Sequence, residues 1–96
     1  MKSYKQIAAV KTSFRVLDLL RSQGRPVSGA EVAQALGLPH ATAMSHLTTL
    51  EDLQVVRRAG DVFEIGPEMA IYWAEIRKRL ETKRAQIDQT LKLING

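Results

Sequence analysis

Residues 37–50 read GLPHATAMSHLTTL, and this stretch decides the fold. Gly37 can end one helix, because glycine readily adopts the left-handed backbone conformation that follows many helix C-termini. Pro39 can begin the next helix, because its missing N–H would have no intrahelical partner at that position. Two helices separated only by Gly37-Leu38-Pro39 predict a helix-turn-helix.

The helices on either side of this joint follow from apolar spacing and capping residues. Residues 12–23 carry Phe14, Val16, Leu17 and Leu20 at helical spacing. Ser28 is a suitable N-cap for a second helix that runs over EVAQAL. The third helix, at about residues 39–52, is expected to bury an inner stripe of apolar side chains: Ala43, Leu47, Leu50 and Leu53.

A hairpin and a long helix complete the predicted architecture. VVRR and VFEI, within residues 55–65, are short β-branched runs separated by Ala59-Gly60-Asp61, which predicts a two-stranded wing. A last helix is expected from about Pro67 to Ile94. The fold class is therefore mainly α with a small β-hairpin, a winged helix-turn-helix followed by a long C-terminal helix.

The charge distribution divides the sequence into three segments. Residues 1–25 contain six Lys or Arg and one Asp (+5), residues 26–66 two Arg and five acids (−3), and residues 67–96 six bases and four acids (+2), which gives the net charge of +4. We expect residues 1–11 to form a basic arm, 12–66 the winged helix-turn-helix and 67–96 a dimerisation helix. The basic ends suit binding to an acidic polymer, through Lys2, Lys5, Lys11, Arg15 and Arg21.

Composition also excludes several classes of protein. The chain has no cysteine, so disulfides and thiolate metal sites are excluded, and the two histidines lack carboxylates at metal-binding spacing. A membrane span would need about 18 continuous apolar residues, and a secretory signal a long apolar core; neither is present. We therefore expect a cytoplasmic protein that is not an enzyme, with no catalytic residues, metal or cofactor.

The outward face of the third helix carries small and hydroxyl side chains instead of long charged ones. Such residues let a helix backbone approach the DNA major groove closely. His40, Ala41 and Ser45 are predicted to face base edges, and Thr42 and Thr49 to hydrogen-bond phosphates. Arg57 and Arg58, on the first strand of the wing, would neutralise phosphates or reach the minor groove.

Residues 12–69 resemble the N-terminal winged helix-turn-helix domain of the IclR family of bacterial transcriptional regulators. The resemblance is carried by RVLDLL in the first helix, VSGAEVAQALGLP at the joint, Thr42-Ala43 with Leu47 and Thr49-Leu50 in the recognition helix, and Ile65-Gly66 after the hairpin. It implies a DNA-binding regulator, here of bacterial or phage origin. Thr42 matches a family phosphate contact.

The sequence departs from the family in two places. The family usually has a cation near the start of the recognition helix, then Ser-Thr, then Arg one turn later, where this chain has His40, Ala41, Thr42 and Ser45. Family members also continue into a domain that binds a small-molecule effector and builds the tetramer. This chain ends about thirty residues after the wing, so no such effector domain is expected.

The last helix carries a heptad pattern, which is typical of helices that pack against another helix. The pattern predicts a homodimer through the apolar positions Trp73, Ile76, Leu80, Ile87, Leu91 and Ile94. A two-fold dimer would let two recognition helices read two half-sites. The function predicted is a sequence-specific double-stranded DNA-binding repressor; the alternative is a winged-helix adaptor that binds protein and not DNA.

Overall fold

The structure is a computed structural model that describes residues 3–96, so Lys2 of the predicted arm lies outside the described residues. The element order is α1 (Ala8–Gln23), β1 (Val27–Ser28), α2 (Gly29–Leu36), α3 (His40–Asp52), β2 (Val56–Ala59), β3 (Val62–Ile65) and α4 (Met69–Asn95). The chain forms two compact units, one ending at Gly66 and the other starting at Pro67. The predicted fold class, a winged helix-turn-helix followed by a long helix, is confirmed.

The helix-turn-helix joint is closed by a left-handed cap at Gly37. Gly37 has φ 65°, and its N–H donates to Gln34 O at 3.4 Å, while Leu38 N–H donates to Ala33 O at 2.9 Å. These two bonds satisfy carbonyls at the end of α2 and turn the chain sharply, in the pattern of a Schellman motif. The first bond of α3 follows at once, from Ala43 N–H to Pro39 O at 3.0 Å. The glycine and proline therefore have the roles that the sequence predicted.

The predicted hairpin is present as β2 and β3, and a third strand that was not predicted extends it to an antiparallel sheet in the order β1-β3-β2. The additional strand is only Val27–Ser28, which pairs with Phe63 and Val62 of β3. A strand of two residues is too short to show the alternation by which strands are identified in sequence. Its effect is to place Val27 in the core and Ser28 at the start of α2, where the Ser28 hydroxyl accepts from Glu31 N–H at 3.1 Å.

Helix α1 begins at Ala8, four residues before the predicted start, so residues 8–11 of the predicted arm are helical. Val16, Leu17 and Leu20 are buried as their spacing predicted, but Phe14 is 62% exposed. On α1, Phe14 lies on the side of Ile7 and Val10, which are also exposed, because residues three and four apart share a helix face. Arg15 extends from α1 to α2, where its guanidinium donates to Leu36 O at 3.2 Å. This contact places a positive charge at the negative end of the α2 dipole.

The core of the winged helix lies between the three helices and the sheet. Its buried side chains are Val16, Leu17, Leu20, Val27, Val32, Ala33, Ala43, Leu47, Leu50, Val56 and Phe63. The predicted inner stripe of α3 is correct for Ala43, Leu47 and Leu50 but wrong for Leu53, which is 62% exposed. Helix α3 ends at Asp52, Leu53 is its C-cap, and Gln54 then adopts a left-handed φ of 66°, so the chain leaves the helix at Leu53.

Two leucine truncations test this end of α3. Leu47→Ala and Leu53→Ala remove the same atoms, but Leu47 is fully buried and Leu53 is mostly exposed. We expect L47A to lower the free energy of unfolding by about 2–5 kcal/mol and L53A by less than about 1 kcal/mol. Urea unfolding followed by circular dichroism measures both values. Equal losses would mean that Leu53 belongs to the core.

Candidate nucleic-acid interface

The outward face of α3 is uncharged and mostly accessible. His40, Ala41, Ser45 and Thr49 are exposed and Thr42 is half-buried, while the buried side chains point to the opposite side of the helix. The helix HATAMSHLTTLED contains no lysine or arginine. Its two acids, Glu51 and Asp52, lie in the last turn, far from the N-terminal end with its partial positive charge. The N-terminal half of α3 is therefore the part suited to approach an anionic ligand.

The hydroxyl groups on this face are not equally free. Thr49 Oγ1 donates to Ser45 O at 2.7 Å, so its proton is already used on the helix backbone. A phosphate oxygen accepts hydrogen bonds, so Thr49 must rotate away from Ser45 O before it can donate to DNA. Within residues 3–96, the hydroxyls of Thr42 and Ser45 have no hydrogen-bond partner. Thr42 and Ser45 are therefore the predicted contacts that are ready to donate.

The first turn of α3 packs closely against the first turn of α2. Gly29 is buried, and a Cβ built on it would overlap Met44 Sδ and lie 3.7 Å from His40 Cε1. The imidazole of His40 therefore lies beside the start of α2, although the residue as a whole is exposed. The sequence signal for this close approach is the glycine at the first position of α2, where small size and not a left-handed φ is required.

A second contact joins α3 to α1. Ser13 Oγ and His46 Nδ1 are 2.8 Å apart, and both residues are half-buried. Ser13, His46, Ser45 and Thr49 line one shallow depression together with Ala9 and Val10 of α1. The N-terminal half of α1 therefore borders the same surface as two predicted DNA contacts. Sequence spacing could not show this, because the pairing crosses thirty-three residues of chain.

The two arginines of the wing have different surroundings. Arg58 Nε donates to Gly60 O at 2.8 Å, and its guanidinium carbon lies 5.2 Å from the centroid of the Phe63 ring. Arg57 is opposite Glu64 in the strand register but forms no ion pair with it within 4.0 Å in the described chain. Successive strand residues point to opposite faces. Arg58 therefore covers the core side of the wing, and Arg57 points away from it.

Several of the other cations are engaged in local contacts. Arg21 pairs with Asp18 at 3.5 Å, and Arg25 pairs with Glu31 at 3.0 Å. Glu31 therefore faces Arg25 across the joint between α1 and α2. Lys5 and Lys11 are exposed and form no salt bridge among the described residues. Among the cations predicted to contact phosphates, Lys5, Lys11 and Arg57 are thus the least engaged.

Helix α4 keeps its apolar heptad positions accessible over its whole length. None of its residues is buried, and Trp73, Ile76, Leu80, Ile87, Leu91 and Ile94 are all exposed. Trp73, Ile76 and Leu80 line one shallow groove, which Arg77 and Arg84 border. A second groove is lined by Ile87 and Leu91. The six predicted dimerisation residues therefore form one discontinuous apolar face.

Across residues 3–96, no helix is both long and apolar enough to span a membrane. The same residues contain no group of three or more His, Asp or Glu side chains that could hold a metal ion.

The model of the IclR helix-turn-helix domain matches residues 9–60, from α1 to the turn of the wing. The chain belongs to this family. Residues 9–60 are thus an IclR-type helix-turn-helix domain. No curated protein matches the chain.

Solved structures agree with this assignment. An IclR transcriptional regulator from Alicyclobacillus acidocaldarius is 29% identical with a TM-score of 0.70, covering 75% of this chain and 30% of that one. The repressor BlcR from Agobacterium tumefaciens is 27% identical with a TM-score of 0.64, covering 75% and 29%. The chain thus spans about 30% of the length of each of these two proteins. A Zalpha domain from Carassius auratus PKZ, solved with Z-DNA, shares the fold at 22% identity and a TM-score of 0.57, covering 62% and 98%.

The two wing arginines yield a stability test. Arg58→Ala removes a hydrogen bond to Gly60 O and a cation–π contact with Phe63, whereas Arg57→Ala removes neither. We expect R58A to lower the free energy of unfolding by about 1 kcal/mol and R57A to change it by less than about 0.5 kcal/mol. Thermal unfolding of both variants at one salt concentration provides the comparison. A larger loss for R57A would contradict the assigned roles.

Proposed function

We propose that the chain is a homodimeric, sequence-specific DNA-binding protein that acts as a cytoplasmic transcriptional repressor. Helix α3 would enter the major groove, and the wing of residues 55–65 would lie on the DNA backbone. The observation that carries the proposal is the outward face of α3, where the hydroxyls of Thr42 and Ser45 have no hydrogen-bond partner within residues 3–96. The proposal is for a binding protein and not for an enzyme.

The uncharged recognition helix requires that phosphate neutralisation come from elsewhere. Phosphate contacts supply most of the salt-dependent affinity of DNA-binding proteins, while base-edge contacts supply specificity. Arg57 on the wing and Lys5 and Lys11 near the N-terminus are exposed cations that satisfy this requirement. Ser45, Ala41 and His40 would then read base edges, with the ring of His40 held beside α2.

A homodimer would compensate for the small number of base contacts on each α3. Two half-sites bound together multiply the discrimination of each, because the second binding event becomes intramolecular. The exposed apolar face of α4 supports this arrangement, because apolar side chains at heptad spacing are typical of helices that pair. Repression would follow from occupation of a promoter site by the dimer. The proposal includes no small-molecule effector, and the alternative is a winged helix that binds protein instead of DNA.

The wing cation provides the first test of DNA binding. Arg57→Ala should weaken binding to specific and random duplexes alike by about three- to tenfold, and reduce the steepness of the salt dependence by about one ion. Fluorescence anisotropy with a selected duplex, repeated across salt concentrations, measures both quantities. Lys92→Ala, which removes one positive charge from the last turn of α4, is the matched control.

The results separate the two candidate functions. Unchanged binding in R57A would contradict the placement of the wing on the phosphate backbone. If no duplex binds even at low salt, the DNA-binding proposal fails and the protein-binding alternative gains support. Ser45→Ala should in addition change the preferred base at one position of each half-site, because a base-edge contact carries about 1–3 kcal/mol of discrimination.

The apolar face of α4 provides the test of dimerisation. Ile76→Glu places a carboxylate in the apolar face of the proposed interface and should convert the dimer to a monomer in sedimentation equilibrium. Thr82→Glu is the matched control, because it adds the same charge on the opposite side of the helix. A dimer that survives I76E would show that α4 is not the interface.

A further inference from the structure

The heptad core of α4 contains one charged residue and one very large residue at positions that constrain how two copies can pair. With Trp73 as the first core position, the core continues through Ile76, Leu80, Lys83, Ile87 and Thr90. The whole of Met69–Asn95 is one helix, so these positions lie along a single stripe. Because the order of these core residues is not symmetric along the helix, parallel and antiparallel pairing bring different side chains together.

We infer that two copies of α4 pair antiparallel, about a two-fold axis between Glu81 and Thr82. This inference rests on the proposed homodimer and names the arrangement of its interface. It also determines where the two winged helices are attached to the pair.

Parallel pairing in register brings identical core residues together. Lys83 would face Lys83 of the second copy inside an otherwise apolar stripe, and two desolvated like charges repel strongly. Trp73 would face Trp73 of the second copy in a layer that normally holds smaller side chains. The flanking positions add a further like-charge contact, because Arg79 of one copy would lie beside Arg84 of the other in parallel geometry.

Antiparallel pairing about the stated axis removes these conflicts. Trp73 faces Thr90 of the second copy, so the largest core side chain meets the smallest. Ile76 faces Ile87, and each of these layers occurs twice by symmetry. Lys83 faces Leu80, where its aliphatic stem can cover the leucine while the ammonium group extends to water.

The charges along one edge of α4 alternate in sign. Arg77, Glu81, Arg84 and Asp88 follow one another along this edge, and Arg77 Nε lies 3.1 Å from Glu81 Oε1 within one helix. Antiparallel pairing places Arg77 between Arg84 and Asp88 of the second copy, so a like-charge contact and an opposite-charge contact arise together. The orientation therefore rests on the core layers and not on the charges of this edge.

Orientation changes the spacing of the two DNA-binding domains. With antiparallel pairing, the two Met69 residues that begin the helices are about 37 Å apart along the axis, at about 1.5 Å per residue. One turn of B-DNA is about 34–36 Å. Antiparallel pairing therefore separates the two points of attachment by a distance close to one turn, whereas parallel pairing brings both points to one end.

Cysteine cross-linking tests the orientation directly, because the chain has no native cysteine. Ile76→Cys and Ile87→Cys proteins are purified separately, oxidised alone, and oxidised after mixing and refolding. Antiparallel pairing predicts cross-linked dimers in the mixture and not in either protein alone. Identical positions would then be about 16 Å apart, beyond the reach of a disulfide, which needs Cα atoms within about 7 Å.

The other outcomes overturn the inference in distinguishable ways. Cross-linking of each variant with itself would mean parallel pairing and would leave the proposed homodimer intact. Absence of cross-links would reject this interface, and sedimentation of the unmodified chain then shows whether any dimer forms. DNA binding is measured separately by anisotropy, so a protein that does not bind DNA can be distinguished from one that does not form the antiparallel pair.

A second label avoids the core positions altogether. Asn95→Cys carries a spin label at the last residue of α4, outside the heptad core. Antiparallel pairing predicts a label separation near 40 Å, from about 27 residues of axial offset at about 1.5 Å each. A separation under about 20 Å, close to the width of two packed helices, would mean parallel pairing.

Discussion

The left-handed turn at Gly37 is the constraint on which the winged helix depends. Its two backbone bonds end α2 and leave only Leu38 and Pro39 before α3, so the angle between the helices has little freedom. That angle brings Gly29 against Met44 and places Ala43 and Leu47 in the core. The face of α3 that carries Thr42 and Ser45 is consequently directed away from the domain. Residues with a Cβ are strained at a φ of 65°, which explains the need for glycine.

The sequence predicted those features that rest on local chemistry. Gly37, Pro39 and the Ser28 cap act as their residue types suggest, and the apolar spacing identified most of the core. The errors come from two other sources. Leu53 lies at the end of α3 and is followed by a left-handed turn at Gln54, and glutamine is not a residue type that signals such a turn. The strand at Val27 exists because β3 is beside it, and such long-range pairing leaves no local pattern.

The candidate site was predictable in location but not in detail. Helical spacing identified the outward face of α3, yet it could not show that Thr49 donates to Ser45 O or that Arg58 stacks on Phe63. Two hydroxyl side chains of α3, or two arginines of the wing, therefore differ in whether they already bind another group of the domain. The proposed DNA interface thus depends on a few available side chains. Because each winged helix offers so few of them, a second copy would strengthen the binding of DNA. The apolar face of α4 and the basic ends of the chain both fit that requirement.

Amide chemical-shift mapping of the full chain, titrated with a duplex selected from random sequence, tests the central claim most directly. We expect the largest shifts in residues 40–49 and at Arg57, and we expect them to weaken as salt is raised. We also expect small shifts along the apolar face of α4, which the second copy would cover. Shifts concentrated on α4, or no shifts with any duplex at low salt, would contradict DNA binding through α3 and the wing.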